Sequence, residues 1–291
     1  MFVWLNGRVV PAARARVSAL DRGLLHGDGL YDTWRLYDGV PFATAAHLRR
    51  LARAARQLGL PAPGAAAPWD RRVRRLAARN GLPDAAVRLT LTRGATGEAI
   101  LPDRAGPPTL LLTTRPLPAD SARRQRDGIR ATLLPFARDA APPWGALKLV
   151  GHASAVAGRM LATRRRAQEG LYVSADGFVA EGTTSNLFVV RQGTLLTPPA
   201  SGAVLGGVTR DLVLRLARRA GVRVRESRLA AAALAHADEI FVTASTIEIL
   251  PVVRLDAAII GGGRPGPVTR ALQDRYRAHV QRACARVRLS R

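Results

Sequence analysis

Two-residue turn signals recur along the whole chain and constrain its fold more than any other feature. Asn6-Gly7 and Asp38-Gly39 lie in the N-terminal part, and Asp176-Gly177 and Gln192-Gly193 lie in the C-terminal part, each near apolar residues. Such pairs favour β-hairpin turns because their backbones tolerate positive φ angles. The pattern therefore predicts antiparallel strands in both parts of the chain.

Apolar patterns with a helical period alternate with these hairpins. Thr44 is predicted to cap a helix that buries Leu48, Leu51 and Leu58 and stops at Gly59. Further helices are predicted at about 69–80, 153–169, 208–220 and 267–284, and strands at about 86–92, 108–114, 129–135, 239–243 and 249–253. The chain is therefore predicted to have a mixed α/β or α+β fold.

A polar segment that contains proline divides this pattern into two parts. Residues 116–126 break both the helical and the strand period, so we predict an interdomain linker there. We expect a small N-terminal α/β domain over residues 1–115 and a larger domain over residues 127–291.

The charge and the cysteine content limit the classes of protein to which the chain can belong. The 291 residues include 45 Lys and Arg against 21 Asp and Glu, a net charge of +24, which favours polyanionic partners. The basic residues are scattered, however, and the longest basic run is Arg164-Arg165-Arg166, so nucleic-acid binding is only a distant alternative. Cys284 is the single cysteine, and no apolar run approaches the roughly 18 residues of a membrane span. We expect a cytoplasmic protein with no signal peptide, membrane segment or bound metal.

Lys148 is the only lysine among the 45 basic residues. An amine can lose its proton and attack a carbonyl group, whereas a guanidinium cannot. The residues around it, from Trp144 to Val150, are mostly apolar, and burial disfavours the charged form of an amine. Lys148 is therefore either a remaining surface residue or a buried nucleophile, and its apolar neighbours favour the second interpretation.

Three polar segments carry groups suited to a phosphate or a ring. Residues 206–209, GGVT, precede a predicted helix whose N-terminal N–H groups favour an anion, although a simple turn is the alternative. Glu181 opens a turn rich in hydroxyl and amide groups, where it is either solvated or paired with a cationic ring nitrogen. Residues 243–246, TAST, offer further hydroxyls. Together with Lys148, these segments fit pyridoxal phosphate, a phosphorylated aldehyde with a basic ring nitrogen.

A wider pattern of motifs runs in order from about residue 5 to residue 253. It consists of VSALDRG at 17–23, GDGLYDT at 27–33, HLRRL at 47–51, Lys148, EGTTSNLF at 181–188, GVTR at 207–210 and FVTAS at 241–245. Taken together, these segments resemble the class IV aminotransferases. These are the fold-type IV pyridoxal-phosphate enzymes, which include branched-chain and D-amino-acid aminotransferases and aminodeoxychorismate lyases.

The resemblance implies a fold, an activity and a set of residues. The fold is an α+β fold of type IV, with a small N-terminal α/β domain and a larger C-terminal domain that has a β-barrel-like core. The activity is transfer of an amino group between an amino acid or amine and a 2-oxo acid, typically by a homodimer. Carried over by position, the cofactor-binding residues are Arg50, Lys148, Glu181, Val208, Thr209 and Ser245, and the substrate-side residues are Tyr31 and Thr246.

The resemblance also implies individual roles. Lys148 would form the internal aldimine and move the proton between the substrate Cα and the coenzyme. Glu181 would face the pyridine nitrogen, and Arg50 would clamp the phosphate. Val208 and Thr209 would contribute backbone and hydroxyl contacts to the same phosphate.

Several positions depart from the family pattern and leave alternatives open. His152 follows the lysine where other members carry different residues, so it is either a cofactor contact or a core histidine. Asp32 replaces a common Glu. The expected Arg-x-His pair is missing near residues 92–102, which leaves Arg93 as the candidate partner of a donor carboxylate. These features keep an aminodeoxychorismate lyase, which eliminates pyruvate, as the alternative activity.

Overall fold

The computed structural model describes residues 1–96, 99–102, 106–137 and 146–289. The chain forms two compact units. The first comprises Met1–Leu117, Leu147–Gly151 and Gln281–Arg291, and the second comprises Pro118–Ala146 and His152–Val280. The boundary after Leu117 falls inside the predicted linker, but residues 147–151 group with the first unit, which a linear division of the chain does not anticipate.

The first unit is built on a six-stranded antiparallel sheet. Its strands are β1 (Phe2–Leu5), β2 (Arg8–Pro11), β3 (Gly29–Tyr37), β4 (Val40–Pro41), β5 (Ala85–Thr92) and β6 (Thr109–Arg115), in the order β2-β1-β6-β5-β3-β4. Both predicted hairpin turns are present. At Asn6-Gly7 the φ angles are 46° and 95°, and at Asp38-Gly39 they are 44° and 75°. Two consecutive positive φ angles are what a type I′ hairpin turn requires.

Two amphipathic helices cover one face of this sheet. The helices of the first unit are α1 (Arg22–Leu25), α2 (Thr44–Gln57) and α3 (Ala66–Arg79). Leu48 and Leu51 of α2 and Leu76 of α3 join Trp34 and Leu89 of the sheet in one buried apolar cluster. The predicted buried face of α2 is therefore confirmed, and the helical period of its apolar residues explains it.

The predicted helix cap at Thr44 is wrong. The N-cap residue of α2 is Ala43, which has a φ of 57° and makes no side-chain cap hydrogen bond. The Thr44 hydroxyl instead donates to Asp70 Oδ1 at 2.6 Å, and so it connects α2 to α3. A hydroxyl near a helix start can satisfy either a local N–H group or a distant carboxylate, and the sequence does not reveal the distant one.

The second unit is built on a ten-stranded mixed sheet that curls into a half-barrel. Its strands are β7 (Ile129–Leu134), β8 (Glu169–Val173), β9 (Phe178–Gly182), β10 (Asn186–Arg191), β11 (Thr194–Thr197), β12 (Arg223–Glu226), β13 (Leu229–Ala230), β14 (Glu239–Ala244), β15 (Glu248–Leu255) and β16 (Ala258–Ile259). Its path runs β12-β11-β10-β14-β15-β7-β8-β9-β13, with β16 paired to β15. The expected barrel-like core is confirmed.

Four further α-helices are described in the chain after Leu117. They are α4 (Ser121–Asp127), α5 (Ala153–Arg164), α6 (Val208–Arg219) and α7 (Pro267–Leu289). Over the described ranges of the chain, none of the helices combines the length and the apolar character that crossing a membrane needs.

The predicted extent of the helix at 153–169 is wrong. α5 ends at Arg164, Arg166 takes a φ of 57°, and β8 begins at Glu169. β8 pairs in parallel with β7, so Leu171 lies opposite Leu133. This non-local pairing overrides the helical pattern of the local sequence, which continues past Arg164.

Candidate functional site

Backbone hydrogen bonds hold Lys148 against the sheet of the first unit. The Tyr31 N–H donates to the Lys148 carbonyl (2.9 Å), and the Val150 N–H donates to the Gly29 carbonyl (3.0 Å). Residues 148–150 therefore run antiparallel beside β3. The earlier part of the apolar run, through residue 145, lies outside the described residues. This pairing fixes the point at which the lysine side chain leaves the backbone.

The Lys148 amine meets the phenol of Tyr31. Its Nζ donates a hydrogen bond to the Tyr31 hydroxyl at 3.0 Å, and Tyr31 is buried. Lys148 itself is half-buried. A hydroxyl at hydrogen-bond distance from an amine can orient it and exchange a proton with it. The structure thus brings together two residues that the sequence assigns to the site.

Arg88 lies over the Tyr31 ring, a position that the sequence motifs do not indicate. Its guanidinium carbon is 3.7 Å from the ring centroid, and its Nε donates to Thr90 Oγ1 at 3.2 Å. Burial lowers the pKa of the Arg88 guanidinium, although an arginine keeps its charge in proteins. The sequence does carry one indication of Arg88: a charged residue stands between Val87 and Leu89, inside a predicted apolar strand.

A buried carboxylate of β3 binds two residues of α2. Asp32 accepts hydrogen bonds from Arg50 Nε (3.0 Å) and Arg50 Nη2 (2.7 Å), and its Oδ1 lies 2.8 Å from His47 Nδ1. His47 and Arg50 are three residues apart, so they share one side of α2. Arg50, which the resemblance assigns to the phosphate, is therefore held by Asp32, whose role the sequence left open.

The charges of this cluster follow from burial and pairing. Burial alone would raise the pKa of Asp32, but the Arg50 guanidinium and His47 hold it well below its usual range. Burial lowers the pKa of His47, and this outweighs the favourable charge of Asp32. His47 is therefore neutral at pH 7 with its proton on Nδ1, because an ionised carboxylate can only accept.

Arg93 is bound within the first unit. Its Nε and Nη2 donate to the Asp28 carboxylate at 2.7 and 3.2 Å, and Nη2 also donates to the Leu58 carbonyl at 2.7 Å. Arg22 donates to Asp28 as well, at 3.0 Å. Burial opposes the ionisation of Asp28, yet hydrogen bonds from Arg93 and Arg22 lower its pKa. A contact between Arg93 and a substrate carboxylate stays a prediction, and that contact would compete with Asp28.

Glu181 of β9 is buried in the second unit and fixed by two N–H donors. Its Oε2 accepts from Asn186 Nδ2 and from the Leu205 N–H, each at 2.9 Å. Asn186 Nδ2 also donates to the Leu205 carbonyl at 2.8 Å. Because two donors from different segments converge on one oxygen, the plane of the carboxylate is set by its surroundings.

The N-terminus of α6 begins three residues after Leu205, whose N–H donates to this carboxylate. Gly207 is the N-cap residue and makes no side-chain cap, and Val208 and Thr209 form the first turn. The first N–H groups of a helix lack acceptors within the helix, so they favour an anion. A Cβ at Gly207 would collide with Asn186 Oδ1, whereas a Cβ at Gly206 would meet no atom of the described residues within 4 Å. Among these residues, Gly206 therefore has room on the side where a side chain would lie.

Hydroxyl groups follow at the turn between β14 and β15. Ser245 and Thr246 lie in this turn and are half-buried. Thr243, opposite Asn186 in the sheet, has a buried Oγ1 with no hydrogen-bond partner among the described residues. Buried hydroxyls normally have a partner, and a ligand group is one such partner. With the carboxylate of Glu181 and the start of α6, these donors and acceptors fit a phosphorylated ring with a protonated nitrogen.

His152 lies at the start of α5. It is the N-cap residue of this helix and half-buried, and its backbone carbonyl accepts from the Val156 N–H at 2.9 Å. Its side chain makes no cap hydrogen bond. The contact between its imidazole and a cofactor stays a prediction.

Comparison with known proteins assigns the chain to a family. The family model described as amino-transferase class IV matches residues 29–255. The chain is a class IV aminotransferase. The resemblance read from the sequence motifs is therefore confirmed, and it extends over most of both units.

Relatives of this class IV aminotransferase cover nearly its whole length. The branched-chain-amino-acid aminotransferase of Escherichia coli (strain K12) is 30% identical over 283 residues, which are 94% of this chain and 91% of the relative. The D-alanine aminotransferase of Bacillus licheniformis is 30% identical over 277 residues, 94% of this chain and 95% of the relative.

Solved structures agree with this assignment. The crystal structure of the E. coli branched-chain amino acid aminotransferase has a TM-score of 0.87 at 30% identity, covering 94% of this chain and 92% of that one. The T.th. branched-chain amino acid aminotransferase, complexed with N-(5'-phosphopyridoxyl)-L-glutamate, also has a TM-score of 0.87, at 29% identity and 96% and 93% coverage. This class IV aminotransferase is thus a fold-type IV enzyme. It uses pyridoxal phosphate to move an amino group between an amino acid and a 2-oxo acid.

Proposed function

We propose that this class IV aminotransferase acts on branched-chain amino acids and that Lys148 is its coenzyme-binding and proton-transferring residue. The donor class is supported by the E. coli and T.th. proteins, both named branched-chain aminotransferases. The observation that carries the assignment of Lys148 is its Nζ at 3.0 Å from the Tyr31 hydroxyl. The only lysine of the chain thus lies within hydrogen-bond distance of a hydroxyl that can exchange a proton with its amine.

Lys148 performs the proton transfer in this proposal. When bound, pyridoxal phosphate supplies an aldehyde that condenses with amines and a ring that withdraws electron density from the substrate Cα. The neutral Lys148 amine would remove the proton from the substrate Cα and deliver it to C4′ of the coenzyme. The Tyr31 hydroxyl orients Nζ for this transfer and accepts a hydrogen bond from it.

Other residues bind the two polar ends of the coenzyme. The Glu181 carboxylate pairs with the protonated ring nitrogen and keeps that proton in place. The N–H groups at Val208 and Thr209 bind the phosphate, with the hydroxyls of Thr209 and Ser245. Arg50 adds positive charge toward the phosphate while Asp32 fixes its orientation.

Arg88 is our preferred partner for the substrate carboxylate. It lies over Tyr31, and its side chain has no carboxylate partner among the described residues. Arg93, by contrast, is paired with Asp28. A planar guanidinium can bind a carboxylate through two parallel hydrogen bonds. Thr246 remains a predicted substrate-side contact.

D-Alanine is the second candidate donor. It is supported by the D-alanine aminotransferase of B. licheniformis, which is as similar in sequence as the E. coli relative. The two donors differ in the face of Cα that carries the proton, and this depends on how the substrate carboxylate is bound.

A half-reaction screen tests the proposed donor. The coenzyme-loaded enzyme is mixed with L-leucine, L-isoleucine, L-valine or D-alanine, and the absorbance of the bound coenzyme is followed. We expect the branched-chain L-amino acids to convert it to the pyridoxamine form. Conversion by D-alanine alone would favour the second donor. Release of pyruvate and p-aminobenzoate from aminodeoxychorismate, without a stable pyridoxamine form, would favour the lyase.

We also propose that the enzyme is a cytoplasmic homodimer. The support for the dimer is an exposed apolar pair on α5, Val156 and Met160, which are 56% and 55% exposed one helical turn apart. Contiguous exposed apolar side chains commonly mark an interface. The single cysteine is consistent with a reducing compartment.

A further inference from the structure

Asn186 lies in the EGTTSNLF segment of residues 181–188, but the sequence motifs assign no role to its side chain. It is the first residue of β10, directly after the turn that follows β9, and its side chain is buried. A buried side-chain amide has two N–H donors and one acceptor to satisfy. The amide nitrogen of Asn186 donates to two acceptors, Glu181 Oε2 at 2.9 Å and the Leu205 carbonyl at 2.8 Å.

The partners of Asn186 are also bound to each other. The Leu205 N–H donates to the same Glu181 Oε2 at 2.9 Å, so the three groups form a closed ring of hydrogen bonds. Leu205 lies two residues before Gly207, the N-cap residue of α6. Asn186 therefore connects the buried carboxylate to the segment that leads into the proposed phosphate-binding turn.

The packing around Asn186 leaves its amide little freedom. A Cβ at Gly207 would collide with Asn186 Oδ1, so glycine is needed there for the amide to keep its place. An aspartate at position 186 would keep the shape but would place an oxygen where the amide nitrogen now donates to Glu181 Oε2. Two carboxylate oxygens at that separation repel each other. The site therefore requires an amide at 186 for chemical as well as steric reasons.

We propose that Asn186 is a positioning residue, which orients the Glu181 carboxylate toward the ring nitrogen of the coenzyme. This inference rests on the proposed role of Glu181. Asn186 acts through Oε2 and sets the plane of the carboxylate. Its effect is therefore confined to ligands that carry a nitrogen at the position that Glu181 faces.

An analogue of the coenzyme separates this role from a structural one. We would measure the dissociation constants of the apo-enzyme for pyridoxal phosphate and for 1-deazapyridoxal phosphate, which has carbon in place of the ring nitrogen. The wild-type enzyme is expected to prefer pyridoxal phosphate. In Asn186→Ala this preference should fall about tenfold, as for a hydrogen bond to a charged group. Losses from a general loosening of the fold cancel in the ratio.

Three further variants keep the test decisive. Asn186→Asp preserves the shape and should lower the preference in the same way, even if Asn186→Ala folds poorly. The matched control is Thr269→Val. It removes a different buried hydrogen bond to a carboxylate of this unit, which the Thr269 hydroxyl donates to Glu239 Oε2 at 2.5 Å. It should leave the preference unchanged. In a Glu181→Gln background, Asn186→Ala should cause no further loss of preference.

The outcomes are distinguishable. If Asn186→Ala and Asn186→Asp weaken both ligands by the same factor, the positioning role is overturned while the aminotransferase function stands. If the wild-type enzyme does not prefer pyridoxal phosphate to the analogue, the role of Glu181 itself is overturned, and the inference falls with it.

Discussion

The Asp32 carboxylate of β3 and the Arg50 guanidinium of α2 form a two-point ion pair, with both Arg50 Nε and Nη2 donating to the carboxylate at 3.0 and 2.7 Å. Asp32 is 1% exposed. Breaking a buried pair leaves one charge uncompensated, which is more costly than breaking a pair at the surface. The pair therefore links the stability of the first unit to the orientation of Arg50.

Asp32→Asn should destabilise the protein by about 3–5 kcal/mol, because Arg50 loses its buried partner. The measurement is urea unfolding at pH 7. The control is Asp274→Asn, whose carboxylate is 79% exposed and pairs loosely with Arg277, and which should change stability by less than about 0.5 kcal/mol. Equal effects of the two substitutions would contradict the account.

The same carboxylate gives stability a definite pH dependence. The folded protein holds the pKa of Asp32 below its ordinary value of 3.8. The stabilisation is therefore fully present above pH 3.8 and is lost as the pH falls below it. Unfolding measured from pH 6 down to pH 3 should show a loss of stability on acidification that is smaller in Asp32→Asn. An identical loss in both proteins would exclude this assignment.

Tyr31→Phe should slow proton transfer while the coenzyme stays bound, because the hydroxyl orients Lys148 Nζ but does not attach the coenzyme. We expect the half-reaction rate to fall about 100-fold. Stopped-flow absorbance measures it. Tyr37→Phe, on the same strand and six residues away, is the matched control and should leave the rate near that of the wild type. A Tyr31→Phe enzyme with the wild-type rate would remove the proposed role.

Arg88→Gln should raise KM for the amino donor about 10- to 100-fold with a smaller change in kcat, as expected when a charge-assisted hydrogen bond to substrate is lost. Arg93→Gln should instead lower stability, because the Leu58 carbonyl loses the Arg93 donor and Asp28 keeps only Arg22 of its two arginine partners. Steady-state kinetics and thermal unfolding of both variants distinguish the two arginines. The reverse result, with KM raised only by Arg93→Gln, would restore Arg93 as the carboxylate partner.

Met160→Glu combined with Val156→Glu should shift the enzyme from dimer to monomer, because charges would be placed on the exposed apolar pair of α5. Light scattering after gel filtration should give twice the chain mass of 31.1 kDa for the wild type and the single mass for the variant. A wild-type protein that elutes with the single mass would contradict the proposed homodimer.

The parts of the fold that the sequence predicted well are set by local chemistry. Asn6-Gly7 and Gln192-Gly193 form tight turns with two positive φ angles each, because few other residue pairs tolerate this backbone. Helices α2 and α6 lie within a few residues of their predicted bounds, since their apolar period is regular. These features need no knowledge of distant partners.

The parts that the sequence did not predict depend on distant partners. Residues 147–151 join the first unit because Lys148 pairs with Tyr31, which is 117 residues away. The end of α5 is set by the pairing of β8 with β7. In the site, motifs identified Lys148 and Glu181 as candidates. The contact of Arg88 with Tyr31 arises from strand register, which no local pattern encodes.

The most direct test of the account is to reduce the coenzyme-loaded enzyme with borohydride and locate the modified residue by mass spectrometry. We expect a pyridoxyl phosphate adduct on Lys148 in the wild type and none in Lys148→Arg, which keeps the positive charge but has no nucleophilic amine. An unmodified Lys148 in enzyme that is saturated with coenzyme would contradict it.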